Sequence, residues 1–224
     1  MNQGKVILVT IGIIILAVIV IYGIPFENSM TTETVETNPY AWVTEYTTPN
    51  DDIIKAKTQE ILGSSYDGEL SVQDLYDLQD WVGKNIHYTV QDPEYPSQTL
   101  LDMNGDCYSM SSLLYSMILH ESNKDSCSYI LLVDIKEENS PNIMKHSSVM
   151  TVFDNGIVIS DTTLGSYTNT YCKLKSPEDA INRIIDGTTV QWYTVTEAIN
   201  LNTYQEFSNY EDFYSYAESK MNSC

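Results

Sequence analysis

The first apolar stretch of the chain is long and carries no charge. Val6–Ile24 runs for 19 residues without a charged side chain, which at about 1.5 Å rise per residue just spans a hydrocarbon core of roughly 30 Å. Lys5 precedes the stretch and only glutamates follow it, a charge asymmetry that predicts a cytoplasmic N-terminus. A cleaved signal peptide would have a shorter apolar region of about 7–15 residues that ends in small residues. The pattern therefore favours residues 1–25 as a single-pass signal-anchor transmembrane helix over a cleaved signal, with the C-terminal domain extracytoplasmic.

Residues 26–48 are rich in Thr and Glu and poor in aliphatic side chains, which is typical of an extended acidic stalk. Helical spacing of apolar residues begins after them. Pro49 and the acidic residues behind it signal a helix start, and Gly63 a stop. A second helix opens at Ser71, with Asp74 as its capping-box partner. We therefore expect the globular domain to cover residues 49–224.

The clearest helix pattern in the chain is Cys107–His120. One apolar stripe runs along it, formed by Met110, Leu113, Leu114, Met117 and Ile118. A loop that contains prolines is predicted before it, up to about Ser97. Two more helices are expected, one from Ser176 to near Gly187 and one after Tyr204.

Beyond the central helix, the hydrophobic period changes from 3.6 to about 2, which indicates strands. Together with a short one at His87–Val90, the predicted strands are Cys127–Ile135, His146–Phe153, Ile157–Asp161 and Thr188–Val195. Asn155-Gly156 is a two-residue hairpin signal between two of them. Helices followed by a block of antiparallel strands indicate an α+β fold.

The composition of the chain excludes some classes of function. The chain has 224 residues, 42% of them apolar, which is enough for one packed domain. Its 31 acidic and 11 basic residues give a formal charge of −20 and a pI near 4.2. Such a surface repels phosphate backbones, so nucleic-acid binding is not expected, and neither is adhesion to anionic lipid through basic patches.

Cys107 lies in the first turn of the central helix, directly after Gly105-Asp106. Unpaired amide dipoles at a helix N-terminus favour the thiolate, and a neighbouring imidazolium favours it further. A lone cysteine on an apolar face is also commonly a small buried hydrophobic residue. The position alone leaves both interpretations open.

His146 and Asp161 supply the other residue types of a thiol triad, in which a carboxylate orients the histidine. With a turn at Asn155-Gly156, Asp161 pairs opposite Met150, four residues and roughly 13 Å from His146. A turn centred on Asp154-Asn155 would halve that separation. The alternatives are a strand-end histidine and a turn carboxylate without a catalytic role.

An ordered set of motifs runs through residues 70–165. It consists of Trp81-Val82-x-x-Asn85-Ile86-x-Tyr88, Thr99-Leu100, Gly105-Asp106-Cys107 with Ser111-x-Leu113-Leu114, His146, and Asp161-Thr162-Thr163. This set resembles the transglutaminase-like core of papain-like thiol enzymes. The resemblance implies a papain-like α+β core in which Cys107 is the nucleophile, His146 the general base and acid, and Asp161 the orienting carboxylate. It implies no metal and no cofactor for the core chemistry.

The oxyanion hole would use the Cys107 backbone N–H and a second donor, for which Gln98 and Tyr88 are both candidates by position. The histidines lack zinc-site spacing, and the Asp-rich segment before Cys107 matches a calcium loop only superficially. On the oxidising side of a membrane, Cys127, Cys172 and Cys224 are available for disulfides, although their odd number leaves one without an intrachain partner.

Two functions remain open. The first is a membrane-anchored, extracytoplasmic thiol enzyme that hydrolyses or transfers the acyl group of a peptide or protein amide through Cys107. The second is a catalytically inactive transglutaminase-like module that binds peptide or glycan at the cell surface. The substrate, the acyl acceptor and the oligomeric state are not readable from the sequence.

Overall fold

A computed structural model describes residues 39–63, 69–121, 127–138, 140–154, 156–164 and 176–223. The chain divides into two units, Met1–Glu36 and Thr37–Cys224, and every described residue belongs to the second. None of the helices in these described ranges is both long and apolar enough to cross a membrane. The predicted anchor and the first part of the predicted stalk lie outside the described residues, so the anchor remains a prediction.

The described residues contain seven helices. They are α1 Pro39–Tyr46, α2 Asp52–Leu62, α3 Val72–Asn85, α4 Pro96–Asp102, α5 Cys107–Glu121, α6 Pro177–Gly187 and α7 Tyr210–Met221. The same ranges contain seven strands. They are β1 His87–Tyr88, β2 Asn104–Gly105, β3 Ser128–Glu137, β4 Met144–Phe153, β5 Gly156–Ser160, β6 Val190–Ile199 and β7 Tyr204–Glu206.

Strands β3 to β7 form one sheet in the order β5-β4-β3-β6-β7, and every neighbouring pair is antiparallel. Strands β1 and β2 form a separate parallel pair, in which Tyr88 lies opposite Gly105. The mixture of helices with an antiparallel sheet confirms the α+β prediction.

Helices cover both faces of the sheet. On one face, α5 packs on β3 and β4, and its apolar stripe is at most 1% exposed, as the helical spacing predicts. Helices α2 and α3 complete this hydrophobic core together with Ile130 and Val149 of the sheet. On the other face, α6 and α7 pack against side chains such as Leu131 and Met150. Adjacent sheet residues thus enter different cores because side chains alternate along a strand.

Local signals fix most helix ends. Ser71 and Asp74 form the predicted capping box of α3, with each side chain bonded to the other residue's backbone N–H. Asp51 caps α2, which ends at Gly63 with a φ of 76° that favours glycine. Ser176 caps α6. The ends of these confirmed helices are therefore determined by residues that are close in sequence.

The β4–β5 hairpin differs from the turn that the sequence favoured. Phe153 pairs with Gly156 and Val149 with Ser160, so only residues 154 and 155 separate the two strands. Asn155 itself lies outside the described residues. Gly156 is the first strand residue and not a turn residue, which moves Asp161 two positions along β4 towards His146.

Two helices lie where none was predicted. Pro39–Tyr46 falls inside the predicted stalk, yet Val43 is fully buried in the core, and the structured part therefore begins before residue 49. Pro96–Asp102 replaces the end of the predicted proline loop, with Pro96 in its first turn and Thr99 and Leu100 buried. Both helices are short, and their apolar residues meet partners distant in sequence.

Candidate active site

Cys107 is the first residue of α5, and the segment before it is shaped for that position. Asp106 is the cap: its Oδ1 accepts the Ser109 N–H at 2.8 Å, and its carbonyl accepts the Met110 N–H at 3.0 Å. The Cys107 N–H, one turn earlier, has no acceptor within the helix. The helix start thus presents both the thiol and a backbone donor at one point.

Gly105 is required for this approach. A Cβ on Gly105 would lie 3.0 Å from the Ser109 Cβ and 3.0 Å from the Thr99 Cγ2. Residue 105 therefore lies directly on α4 and α5, and its β2 pairing with Tyr88 fixes the chain just before Cys107. The close contact explains the glycine of the Gly-Asp-Cys motif without any requirement on φ.

His146 lies near the start of β4, beside a contact that ties β4 to α5. Its neighbour Ser147 donates through Oγ to Ser111 Oγ at 3.1 Å, and Ser111 is one helical turn after Cys107. The Cys107 side chain acts on the imidazole of His146 and raises its pKa. Both residues are buried, with exposed fractions of 5% for His146 and 6% for Cys107.

Asp161 follows directly after β5 and reaches the other side of the imidazole. Its Oδ2 lies 2.6 Å from His146 Nε2. Its Oδ1 accepts the backbone N–H groups of Thr163 and Leu164, both at 3.1 Å, and the Thr163 hydroxyl at 3.0 Å. The structure thus brings together all three residues that the sequence singled out, and the observed hairpin register accounts for it.

The pair is charged at neutral pH. Burial lowers the pKa of His146, but the charge and hydrogen bond of Asp161 and the contact with Cys107 outweigh it and raise this pKa to about 10. Burial raises the pKa of Asp161, but the imidazolium and the backbone N–H donors outweigh that effect and hold it below 3.8. An imidazolium–carboxylate pair beside a thiol is suited to stabilising a thiolate.

Helix α3 supports the loop that carries Asp161. Gln79 Nε2 donates to the Asp161 carbonyl oxygen at 3.5 Å. A Cβ on Gly83 would lie 3.3 Å from the Thr162 carbonyl oxygen, so the helix and the loop are in close contact there. The helix that contains the tryptophan motif of the sequence thus positions the carboxylate.

The two oxyanion-hole candidates are placed differently. Gln98 is exposed, and its side-chain amide donates to Asp102 at 2.6 Å. Tyr88 is 48% exposed, and burial together with the charges of Cys107 and Asp106 raises the pKa of its phenol, which keeps it a neutral donor. Of the two, Tyr88 is the one whose pKa the charge of Cys107 affects.

Several carboxylates act electrostatically on Tyr108, the residue after Cys107. Burial and the charges of Cys107, Asp106, Glu197 and Asp134 raise the pKa of Tyr108 to about 12. Apart from the contribution of the imidazolium, the electrostatic potential near the thiol is therefore negative. This negative potential favours cationic over anionic groups there.

Sequence reasoning missed two contributors to the site. Trp42 of α1 makes an edge contact with Tyr108 at 5.2 Å between ring centroids, and its helical spacing with Val43 and Tyr46 was the available signal. Thr163 is the second contributor. Its position two residues after Asp161, from which a threonine hydroxyl can donate a hydrogen bond to the carboxylate, was the available signal.

The cysteines and potential metal ligands add little to the site. Within the described residues, no group of three or more His, Cys, Asp or Glu side chains is arranged to hold a metal ion. Cys107 is a free thiol and Cys127 is disulfide-bonded. Cys172 and Cys224 lie outside the described residues, and the absence of a cofactor remains a prediction.

Comparisons with known proteins reach only a distant structural likeness. No protein-family model matches the sequence, and no curated protein matches it. A solved structure described as a "putative cysteine protease" from Cytophaga hutchinsonii is similar with a TM-score of 0.44 and 14% sequence identity. The match covers 80% of this chain but only 62% of that one. At this distance the likeness carries no functional argument, and the transglutaminase-like resemblance remains an expectation.

Proposed function

We propose that this chain is a papain-like thiol enzyme of the transglutaminase-like type that acts on a peptide or protein amide. The observation that carries the proposal is the pairing of Asp161 with His146 at 2.6 Å, at an imidazole whose pKa the Cys107 side chain also raises. The roles follow from this order of contacts. Cys107 is the nucleophile, His146 transfers protons, and Asp161 orients the imidazole and stabilises its charged form.

Before the first half of the reaction, the proton of the Cys107 thiol is already on His146, in a thiolate–imidazolium pair. Because Asp161 engages Nε2, this proton is on Nδ1. The sulfur attacks the amide carbon, a C–S bond forms, and the carbonyl oxygen becomes an oxyanion that the Cys107 N–H and the Tyr88 hydroxyl stabilise. The imidazolium then protonates the amide nitrogen, the C–N bond breaks, and the amine leaves a thioester on Cys107.

In the second half, His146 takes a proton from water while the oxygen attacks the thioester carbon. The C–S bond breaks, the carboxylic acid leaves, and the thiolate–imidazolium pair is restored. If an amine replaces water, the product is a new amide and the reaction is transamidation. The negative field near Tyr108 favours a cationic group close to the reacting amide, whichever acceptor is used.

One observation favours the alternative, a silent module that binds peptide or glycan. Cys107, His146 and Asp161 are all at most 6% exposed, whereas a thiol enzyme must admit an acyl group to its sulfur. Reactivity of the thiol separates the two functions because a buried structural cysteine is inert.

The test is alkylation of Cys107 in the full chain by iodoacetamide at pH 7, followed by mass spectrometry of the peptide that contains it. An enzyme site reacts faster than free cysteine, and His146→Gln reduces the rate to that of free cysteine or below. His87→Gln is the matched control because His87 is exposed on β1. A thiol that reacts more slowly than free cysteine in the wild-type chain contradicts the enzyme and supports the silent module.

We also propose that residues 1–25 anchor the domain to a membrane with its C-terminal part outside the cytoplasm, on the strength of the uncharged segment and its flanking charges. Protease added to intact cells should remove the domain. Full protection of the domain, with digestion after the cells are lysed, contradicts this topology.

A further inference from the structure

The hydroxyl of Thr163 contacts both partners of the buried ion pair. Its Oγ1 donates to Asp161 Oδ1 at 3.0 Å. The same oxygen lies 3.5 Å from His146 Nε2, at the outer limit of a hydrogen bond. The Nε2 proton itself is directed to Asp161 Oδ2 at 2.6 Å. Thr163, Asp161 and His146 therefore close a ring of polar contacts at Nε2 of the imidazole.

The carboxylate of Asp161 can turn about its Cβ–Cγ bond unless Oδ1, the oxygen that does not contact His146, is held by hydrogen bonds. Two backbone N–H groups and the Thr163 hydroxyl bond Oδ1, and such bonds to a charged group are stronger than neutral ones. The backbone groups fix where Oδ1 lies. Of these three donors, only the hydroxyl also approaches the imidazole, so it couples the rotation of the carboxylate to the plane of the ring.

We infer that Thr163 is a positioning residue, whose hydroxyl holds the Asp161 carboxylate and the His146 imidazole in the relative orientation that the Cys107 thiol requires. The consequence for catalysis rests on the proposed function. The geometric part, that the hydroxyl sets the orientation of the His146 imidazole relative to the Asp161 carboxylate, holds whether or not the chain is an enzyme.

The neighbouring threonine provides a matched control. Thr162 is 4% exposed, and its Oγ1 is buried without a hydrogen-bond partner in the described structure. Its backbone carbonyl is the atom that approaches Gly83. Replacing Thr162 by valine therefore removes a hydroxyl from the same loop without removing a contact to the ion pair.

The experiment measures iodoacetamide alkylation of Cys107 from pH 5 to 9 in the full chain carrying Thr163→Val, Thr163→Ser or Thr162→Val. We expect Thr163→Val to react about tenfold more slowly, since it loses one of several hydrogen bonds to a charged group. Its acid limb should also move to higher pH because a carboxylate that is held less firmly stabilises the thiolate–imidazolium pair less. Thr163→Ser restores the hydroxyl and should restore both rate and profile, whereas Thr162→Val should match the wild type.

A second measurement separates this inference from the proposed function. The imidazole of His146 is titrated by NMR in the same variants, with His146→Gln identifying the resonance. If wild-type Cys107 is unreactive but Thr163→Val still shifts the His146 titration, the positioning role stands and the enzyme proposal fails. If the wild type is reactive while Thr163→Val leaves both rate profile and titration unchanged, the inference is overturned and the enzyme proposal stands. A Thr163→Ser variant as impaired as Thr163→Val would also overturn it, because the effect would then not depend on the hydroxyl.

Discussion

The buried His146–Asp161 pair predicts how the stability of this protein depends on pH. Folding raises the pKa of His146 from 6.5 to about 10, so its contribution to stability is full below pH 6.5 and is lost as the pH rises towards 10. Folding lowers the pKa of Asp161 below 3.8, so that contribution is present above pH 3.8 and is lost as the pH falls. Between these limits, from about pH 4 to 6.5, the pair stabilises the fold most.

The size of the alkaline effect follows from the shift of His146. At about 1.4 kcal/mol per pKa unit, a rise from 6.5 to about 10 corresponds to a stabilisation on the order of 5 kcal/mol that disappears across this range. Asp161→Asn removes the carboxylate but keeps the shape of the side chain, and burial of the imidazole then lowers the pKa of His146. The variant should therefore lack most of this alkaline dependence.

The assay is urea denaturation of the wild type and of Asp161→Asn at intervals between pH 6 and pH 10. The difference in unfolding free energy should be largest at pH 6 and should shrink towards zero near pH 10. Asp80→Asn is the control, since its ion pair with Lys84 is largely exposed and should contribute below about 1 kcal/mol with no trend over this range. A difference between the wild type and Asp161→Asn that stays constant from pH 6 to 10 would refute the charged-pair assignment.

Three further predictions concern the surroundings of the thiol. Gly105→Ala should lower the unfolding free energy by about 1–3 kcal/mol, because the new Cβ meets two side-chain carbons at 3.0 Å, and an unchanged urea midpoint would contradict the contact. The alkylation rate of Cys107, divided by that of free cysteine, should be higher for the cation 2-bromoethylammonium than for the anion iodoacetate, and added salt should reduce this difference. Equal normalised rates for the two reagents would show that the nearby carboxylates do not influence the thiol. Tyr88→Phe should slow p-nitrophenyl acetate hydrolysis by on the order of a hundredfold if its hydroxyl is the oxyanion donor, whereas Gln98→Ala should not; the reverse result assigns that role to Gln98.

Elements with strong local signals were predictable from the sequence. The capping box at Ser71 and the apolar stripe of Cys107–Glu121 each specify an element through residues within a few turns of one another, and both are confirmed. The α+β class followed from the change of hydrophobic period. Cys107 and His146 were found as candidates in the same way, because each lies near the start of a well-marked element.

The two missed helices depend on distant partners. Helix α4 has seven residues, too few for a helix to be stable on its own, and it is stabilised where Thr99 packs beside Gly105. Helix α1 has eight residues and is likewise too short to be stable on its own. Its Tyr46 stacks on Tyr95 at 4.9 Å between ring centroids, a contact across almost fifty residues that no local pattern reveals.

The hairpin register shows why the triad geometry was the hardest part to predict. A turn at Asn155-Gly156 and a turn one residue earlier both place Asp161 on the face of β4 that His146 shares, because the two registers differ by two positions. Alternation of apolar and polar residues therefore cannot distinguish them, and the local turn preference favoured the register that the structure does not adopt. In the observed register Asp161 gains its contact with His146, and its Oδ1 accepts three further hydrogen bonds. The weak turn preference, worth at most about 1 kcal/mol on the scale of strand and turn propensities, is small beside a buried and fully bonded carboxylate. The chemistry of the site thus contributes to the register that creates it.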